Sequence, residues 1–386
     1  MIGSIGLILI LGLIGGLLVN KLRLPNLLGY LIVGIIISPN ALNLIDSSVL
    51  DMSSKLRTMI LIIILIRAGL GINKKEILEV GKPAILLSFI PGICEGLTVA
   101  FLSTIFLDFT FVQGGILGFI LAAVSPAVVV PSMLKFQETG KGGSITTLIL
   151  AGASIDDVIA ITIFSSFLGM YGGAGFNIGS ILSIPIGIIL GALIGAILGI
   201  VIVKIMLVLK LDNMQEVFFI LGSAFLLNEF GEFVKSYIEI ATLLGIMAMA
   251  FIISSKKNTI NTRAILGNIW KMGEIFLFVL VGAEVNIPVA IDAGIVGVLI
   301  ICIGLIFRSI GVYFSVISTK LNRQEKIFCM IAYTPKATVQ AAIGGIPLSM
   351  GVIGGEIILA IAVLSILITA PCGAVAIDIA GKKYLH

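Results

Sequence analysis

Along the whole chain, apolar runs of close to 20 residues alternate with short polar stretches that hold most of the Lys, Arg, Asp and Glu. Each run is long enough to cross a hydrocarbon core of about 30 Å as a helix. The runs centre near residues 11, 34, 63, 93, 124, 158, 192, 222, 247, 275, 302, 337 and 367. This spacing predicts about 13 transmembrane helices and an all-α polytopic membrane protein, with residues 1–386 forming one membrane domain. The first run, MIGSIGLILILGLIGGLLVN, has no basic flank and no A-x-A cleavage site, so it reads as a retained span rather than a signal peptide. Composition agrees: 59% of residues are hydrophobic and 11% charged, against roughly 25% charged in soluble domains.

The distribution of basic residues orients the spans, because Lys and Arg collect in cytoplasmic loops. Loops after the odd-numbered spans hold 17 of them: Lys21, Arg23, Lys74, Lys75, Lys82, Lys135, Lys141, Lys204, Lys210, Lys256, Lys257, Arg263, Lys320, Arg323, Lys326, Lys382 and Lys383. The opposite loops hold 3: Lys55, Arg57 and Lys235. The expected topology is a multi-pass protein of the cell (plasma or inner) membrane with its N-terminus outside and its C-terminus in the cytoplasm. Arg67, Lys271, Arg308 and Lys336 fall within or at the edges of spans.

An internal repeat is visible. LLGYLIVGIIIS (27–38) aligns without gaps to LLGIMAMAFIIS (243–254) with 6 identities in 12, and Ser125-Pro126 matches Thr334-Pro335 at nearly the same offset. The matched segments lie seven spans apart, so the halves cross the membrane in opposite directions, the inverted-repeat pattern of secondary transporters. The second pair also interrupts its spans: SPAVVVP (125–131), which includes Val128, carries two prolines, and YTPKATVQAAIGG (333–345) combines Pro335, Lys336 and a Gly pair. Proline removes a helix hydrogen bond and clashes with the preceding turn. Opened backbone at membrane depth is tolerated only where protein buries it or it lines a wet cavity. Two discontinuous helices framing a binding site are therefore expected, with the Lys336 ammonium neutralising their carbonyl ends.

Beside this region, SIDDVIAI sets Asp156 and Asp157 in the middle of span 6, with apolar sequence on both sides. Adjacent helical positions point about 100° apart, so the two acids divide their work. A carboxylate in such a place can hold either a proton or a hard monovalent cation, and that competition is sufficient for exchange. Glu95 in span 4 and Arg308 in span 11 are lone charges 213 residues apart, close to the repeat offset. An unpaired charge at that depth is expensive, so they are expected to pair with each other next to the Asp pair. Arg308 serves there as a fixed counter-charge, since arginine does not release its proton. Glu284 and Arg67, near span ends, are expected to snorkel to the interface, and Glu229 and Glu232 to sit in a solvated loop, with the lining of an external mouth as the alternative. Cys94, Cys302, Cys329 and Cys372 are scattered without C-x-x-C spacing and read as packing residues, and the only histidine is the terminal His386, which argues against a histidine metal site.

Together, SPAVVVPSML, SIDDVIAI, RAGL, PGICEG and TPKATVQAAIG resemble the monovalent cation:proton antiporter superfamily, and within it the NHA-type sodium/proton exchangers. The resemblance implies an NhaA-like fold with inverted repeats and two crossed discontinuous helices. It implies a homodimer whose dimerisation part covers about 1–73 and 212–288. An ion-translocating core would cover about 82–172 and 289–382, with a linker helix at about 177–210. It implies that Asp157 is the main ligand of Na⁺ or Li⁺ and of the proton, that Asp156 assists, and that the core moves like an elevator. Relatives with an Asp pair often carry lysine at the Arg308 position and tend to be electrogenic. Arginine with Glu95 looks more like the electroneutral members. No cofactor and no nucleic-acid partner is expected.

Two other transporters fit less well. A potassium/proton antiporter of the same superfamily would often add a nucleotide-binding domain, and no G-x-G-x-x-G follows the last span. A bile-acid-type sodium symporter has no evident need for paired intramembrane aspartates. An intramembrane enzyme would need a nucleophile, base or metal site, yet there is no G-x-S-x-G and no internal histidine. Neighbouring acids on one helix also cannot face each other as an aspartyl protease requires.

Overall fold

The computed structural model describes residues 1–22, 24–71, 74–172, 178–234 and 240–385. Arg23, Lys235 and His386, and residue 177 at the start of the expected linker, lie outside them. Among the described residues every regular element is a helix, with no strand. The first half comprises α1 (Ile2–Lys21), α2 (Asn26–Ile37), α3 (Ser47–Asp51), α4 (Ser53–Gly71), α5 (Lys74–Phe106), α6 (Phe111–Leu121), α7 (Pro126–Glu138), α8 (Gly143–Gly172) and α9 (Ile178–Leu209). The second comprises α10 (Asn213–Val234), α11 (Thr242–Lys256), α12 (Ile260–Ala283), α13 (Ile287–Asp292), α14 (Gly294–Val316), α15 (Arg323–Ala332), α16 (Thr338–Ile343), α17 (Ile346–Ser349) and α18 (Gly355–Tyr384). Among the described residues, 8 helices are long and apolar enough to cross a bilayer, and α2, α6 and α11 are shorter apolar helices.

Several polar positions expected in loops are helical. Lys55 and Arg57 belong to α4, and Glu229 and Glu232 to α10. Helices that must satisfy their own backbone groups run on through the headgroup region, so polar residues mark their ends rather than gaps between them. α5 is continuous to Lys74 but turns sharply at Gly81, whose φ of 54° and ψ of −138° suit glycine.

The helices pack in two sets. One gathers α5, α6, α7, α8, α14, α15 and α18 around the interrupted segments; the other gathers α1, α2, α4, α10, α11 and α12. The sets meet where α8 touches α4 and α11, and where α16 touches α4 and α12. α9 lies mainly along α11. Lipid tails are as apolar as side chains, so packing between membrane helices rests on close approach through small residues. The GALIGAILG run of α9 does this with Gly191 against Ala241, Gly195 against Gly245 and Gly199 against Met249. A Cβ on Gly195 would stand 2.5 Å from the carbonyl carbon and 2.6 Å from the Cα of Gly245, both backbone atoms that cannot swing aside.

Gly195→Leu is therefore expected to push α9 off α11 and to destabilise the protein by about 1–3 kcal/mol. The check is the thermal unfolding midpoint of the detergent-solubilised protein, with Gly222→Leu as a control, since a Cβ at Gly222 meets no atom within 4 Å.

Candidate functional site

Each interrupted segment opens with a capping box. Thr110 accepts from the Gln113 amide while Gln113 caps Thr110 in return, and Asn322 and Glu325 do the same at α15. α6 then stops at Leu121, and Pro126 begins α7, a first helical position where a missing N–H leaves no bond unmade. The helix runs on through Pro131, so only the first proline of SPAVVVP marks a break. α15 stops at Ala332, and Pro335 keeps the chain out of the helix until Thr338. The two breaks touch. The Ser125 amide donates to the Pro335 carbonyl at 2.8 Å, and the Ser125 and Thr338 hydroxyls lie 3.5 Å apart.

Breaking two helices frees backbone groups that must find partners inside the protein. Gln340 Nε2 donates to the carbonyls of Ile120 at 2.9 Å and Ala123 at 3.0 Å. The Ala122 carbonyl accepts from Arg308 Nη1, and the Tyr333 carbonyl accepts from Arg308 Nε at 2.6 Å. The freed amide of Val124 donates to Asp156 Oδ2 at 2.8 Å, and that of Lys336 to Thr369 Oγ1 at 2.8 Å. The carbonyl ends are thus held by Gln340 and Arg308, not by the Lys336 ammonium as the sequence suggested. That ammonium lies 2.5 Å from Glu95 Oε2.

The charged groups form one buried cluster. Arg308 Nη1 is 2.9 Å from Glu95 Oε2, and its Nη2 is 2.8 Å from Asp156 Oδ2. The guanidinium also lies over the Tyr333 ring, 5.4 Å from its centre. Glu95, Asp156, Arg308 and Lys336 are each 1% exposed, so water screens none of these contacts. Asp157, on the next position of α8, is different. It is buried, its Oδ1 has no partner, and among the described residues its side chain makes no hydrogen bond or ion pair. Asp156 Oδ1 and Gln340 Oε1 are likewise buried without a partner.

The structure gathers Asp156, Asp157, Glu95, Arg308, Ser125, Pro335 and Lys336 at one place. Val128 is buried near it, with its amide on the Ser125 carbonyl at 3.2 Å. Thr334 stands apart. Its hydroxyl turns back to the Ile331 carbonyl at 2.8 Å, so the threonine facing Ser125 is Thr338. Thr338, Gln340, Tyr333 and Thr369 escaped the reading of motifs. Gln340 was visible as the one amide side chain in an apolar run, and Thr369 only through its distance of 213 positions from Asp156, the separation of Glu95 and Arg308.

A cavity of about 840 Å³ lies between the two helix sets, with Lys55, Thr58, Thr162, Ser165, Asn228 and Glu229 among its lining residues. It reaches Ile161, one helical turn beyond Asp157. Glu229 and Glu232 thus line a cavity from α10 rather than a solvated loop. Glu284 does not snorkel either: it pairs at 2.9 Å with Arg57, whose side chain is 1% exposed.

The profile of the family described as "Sodium/hydrogen exchanger, transmembrane" matches residues 6–380. Sodium/hydrogen exchanger 9B2 from Mus musculus is 35% identical over 390 residues, covering 94% of this chain and 69% of that protein. The 9B2 protein of Homo sapiens is 34% identical over 407 residues, covering 97% and 73%. Sodium/hydrogen exchanger 9B1 from Homo sapiens is 31% identical, covering 97% and 76%. The solved structure of the sodium proton antiporter MjNhaP1 from Methanocaldococcus jannaschii superposes with a TM-score of 0.83 at 21% identity, covering 99% of this chain and 97% of that one, which shows a common fold. By the reach of the family profile and the relatives' identity across nearly the whole chain, this protein belongs to the transmembrane sodium/hydrogen exchanger family.

Proposed function

We propose that this family member exchanges one Na⁺ or Li⁺ for one proton, the two competing for Asp157 with Asp156 in support. The observation that carries this reading is the charge balance of the buried cluster. Three carboxylates, Asp156, Asp157 and Glu95, face two cations, Arg308 and Lys336, leaving one negative charge in excess. Asp156 and Glu95 have their counter-ions, so the excess sits on Asp157. An uncompensated charge in a low-dielectric interior is costly, and either a proton or a monovalent cation removes it. Both loaded forms then carry the same net charge, so one-for-one exchange is electroneutral.

An inverted repeat is supported by hydrogen bonds that recur at one offset. The capping boxes Thr110/Gln113 and Asn322/Glu325 are 212 positions apart. The bonds Val124 N to Asp156 and Lys336 N to Thr369 are related by 212 and 213. Counting each interrupted pair as one crossing gives the reading of 13 spans with crossed discontinuous helices. The helix set around the breaks would be the mobile core and the set with α1, α2, α4, α10, α11 and α12 the dimerisation part, with α9 as linker. The narrow contact between the sets and the cavity along it favour an elevator-like slide. The basic residues favour an outside N-terminus and a cytoplasmic C-terminus.

In proteoliposomes, Na⁺ or Li⁺ is expected to dissipate an imposed pH gradient, and Asp157→Asn to reduce this to the rate of protein-free vesicles while the protein stays folded. Undiminished exchange by the variant would sink the assignment. A clamped membrane potential is expected to leave the final cation distribution unchanged, whereas moving one net charge would bias it by about 2.3 kcal/mol per 100 mV. Glu95→Gln leaves Arg308 and Lys336 short of a shared carboxylate. It is expected to cost about 3–5 kcal/mol of stability and to raise the half-saturating Na⁺ concentration, because the empty site no longer carries excess negative charge.

A further inference from the structure

α4 and α12 lie against each other, and near the ends marked by Gly71 and Ile260 each sends an arginine across to the other. Arg67 of α4 lies beside Gly267 of α12, where a Cβ would stand 3.8 Å from its Nη2. Arg263 of α12 lies beside Gly71 of α4, where a Cβ would stand 3.3 Å from its Cζ. The two guanidinium groups therefore lie along the cleft between the packed helices α4 and α12, Arg67 half-buried and Arg263 exposed, within each other's electrostatic reach. Neither makes an ion pair or hydrogen bond among the described residues, and Arg67 Nε is buried without a partner. The buried arginines differ, since Arg57 and Arg308 each have a carboxylate at 2.9 Å or closer.

Among the described residues, the surrounding groups do not cancel this charge. Glu274 of α12 acts on Arg67 from beyond ion-pair distance, and it shares its field with Tyr30 of α2. Lys271, exposed on the same helix, bonds only the Asn268 side chain, at 3.4 Å. The two guanidinium groups thus have one carboxylate, Glu274, within electrostatic reach. Each guanidinium lies over a glycine of the other helix, Arg263 over Gly71 and Arg67 over Gly267, so neither is displaced by a side chain beneath it.

We propose that this cleft binds a phosphate-type oxyanion, held between the forks of Arg67 and Arg263. Planar guanidinium groups match such an anion with paired hydrogen bonds. The cleft lies at a helix end, where headgroup phosphates of anionic lipids are found, and inorganic phosphate offers the same chemistry. The inference is independent of the ion-exchange reading, because none of its residues belongs to the Asp157 cluster.

The test is thermal unfolding of the purified protein in a neutral detergent, with four additives: phosphatidylglycerol, phosphatidylcholine, sodium phosphate, and sodium chloride at matched ionic strength. The wild type is compared with R67Q/R263Q and with Gly267→Asp, which supplies an internal carboxylate beside Arg67. A rise of about 2–4 °C with phosphatidylglycerol over phosphatidylcholine, lost in both variants, is expected for a lipid headgroup. The same pattern with phosphate over chloride assigns a soluble anion and equally supports the cleft. No rise in the wild type, or a rise that persists in the variants, overturns it. If R67Q/R263Q fails to fold, Gly267→Asp alone decides.

Discussion

The structure depends on one guanidinium. Arg308 serves two backbone carbonyls, Ala122 and Tyr333, and two carboxylates, Glu95 and Asp156, from a fully buried position on α14. Without it, the interrupted segments would present bare carbonyls to an apolar interior, where each unsatisfied group costs roughly 1–3 kcal/mol. Arginine suits this task in a way lysine does not. Its donors lie in a rigid plane and reach several acceptors at once, and its charge is permanent. Lys336 is left with the simpler task of a point charge on Glu95.

From that constraint the rest follows in order. Because Arg308 needs Glu95, α14 and α5 must lie close, and Gly304 and Gly311 face Val99 and Pro91 of α5 to allow it. Because Asp156 is drawn toward Arg308 and the Val124 amide, Asp157 on the next position faces elsewhere on α8 and keeps no counter-ion. The aspartate bound to Arg308 and the one proposed to exchange ions are thus separated by a rotation of about 100°. Competition of cation and proton for one group therefore needs no special ligand, only a neighbour that has already taken the available positive charge.

Much of this was legible in the sequence, and the omissions have physical causes. Periodic apolar runs announce membrane helices because lipid forbids exposed backbone, and lone charges within them announce partners. Glu95 and Arg308 were found in this way. Arg57 was assigned to a loop because span ends were read from charge, and a charge paired inside a helix looks the same in sequence as one in water. Glu284 was misread for the same reason. Thr338 carries no such signal, because the Ser-Pro/Thr-Pro match points to Thr334, whereas the helix resumes only after Pro335 and brings the later threonine round to Ser125. Thr369 carries no charge and no unusual setting, so nothing in composition singles it out until the path of the broken backbone is known.

The places where the structure breaks its own rules are informative. Among the described residues, buried side-chain atoms without partners include Asp156 Oδ1, Asp157 Oδ1, Tyr333 Oη and Gln340 Oε1, all on the segments around the two breaks. Elsewhere, buried hydroxyls such as those of Ser88, Ser103, Thr162 and Ser315 return to a carbonyl of their own helix and leave nothing open. Arg57 is another exception, with Nε and Nη1 unpartnered beside Gly345, and so are Ser38 Oγ, Ser53 Oγ and Arg67 Nε. A sequence satisfied everywhere would be rigid and inert, and real proteins relax local rules where they function. Here four of the open atoms gather at the proposed ion site, while the others, on Ser38, Ser53, Arg57 and Arg67, are scattered over α4 and the end of α2.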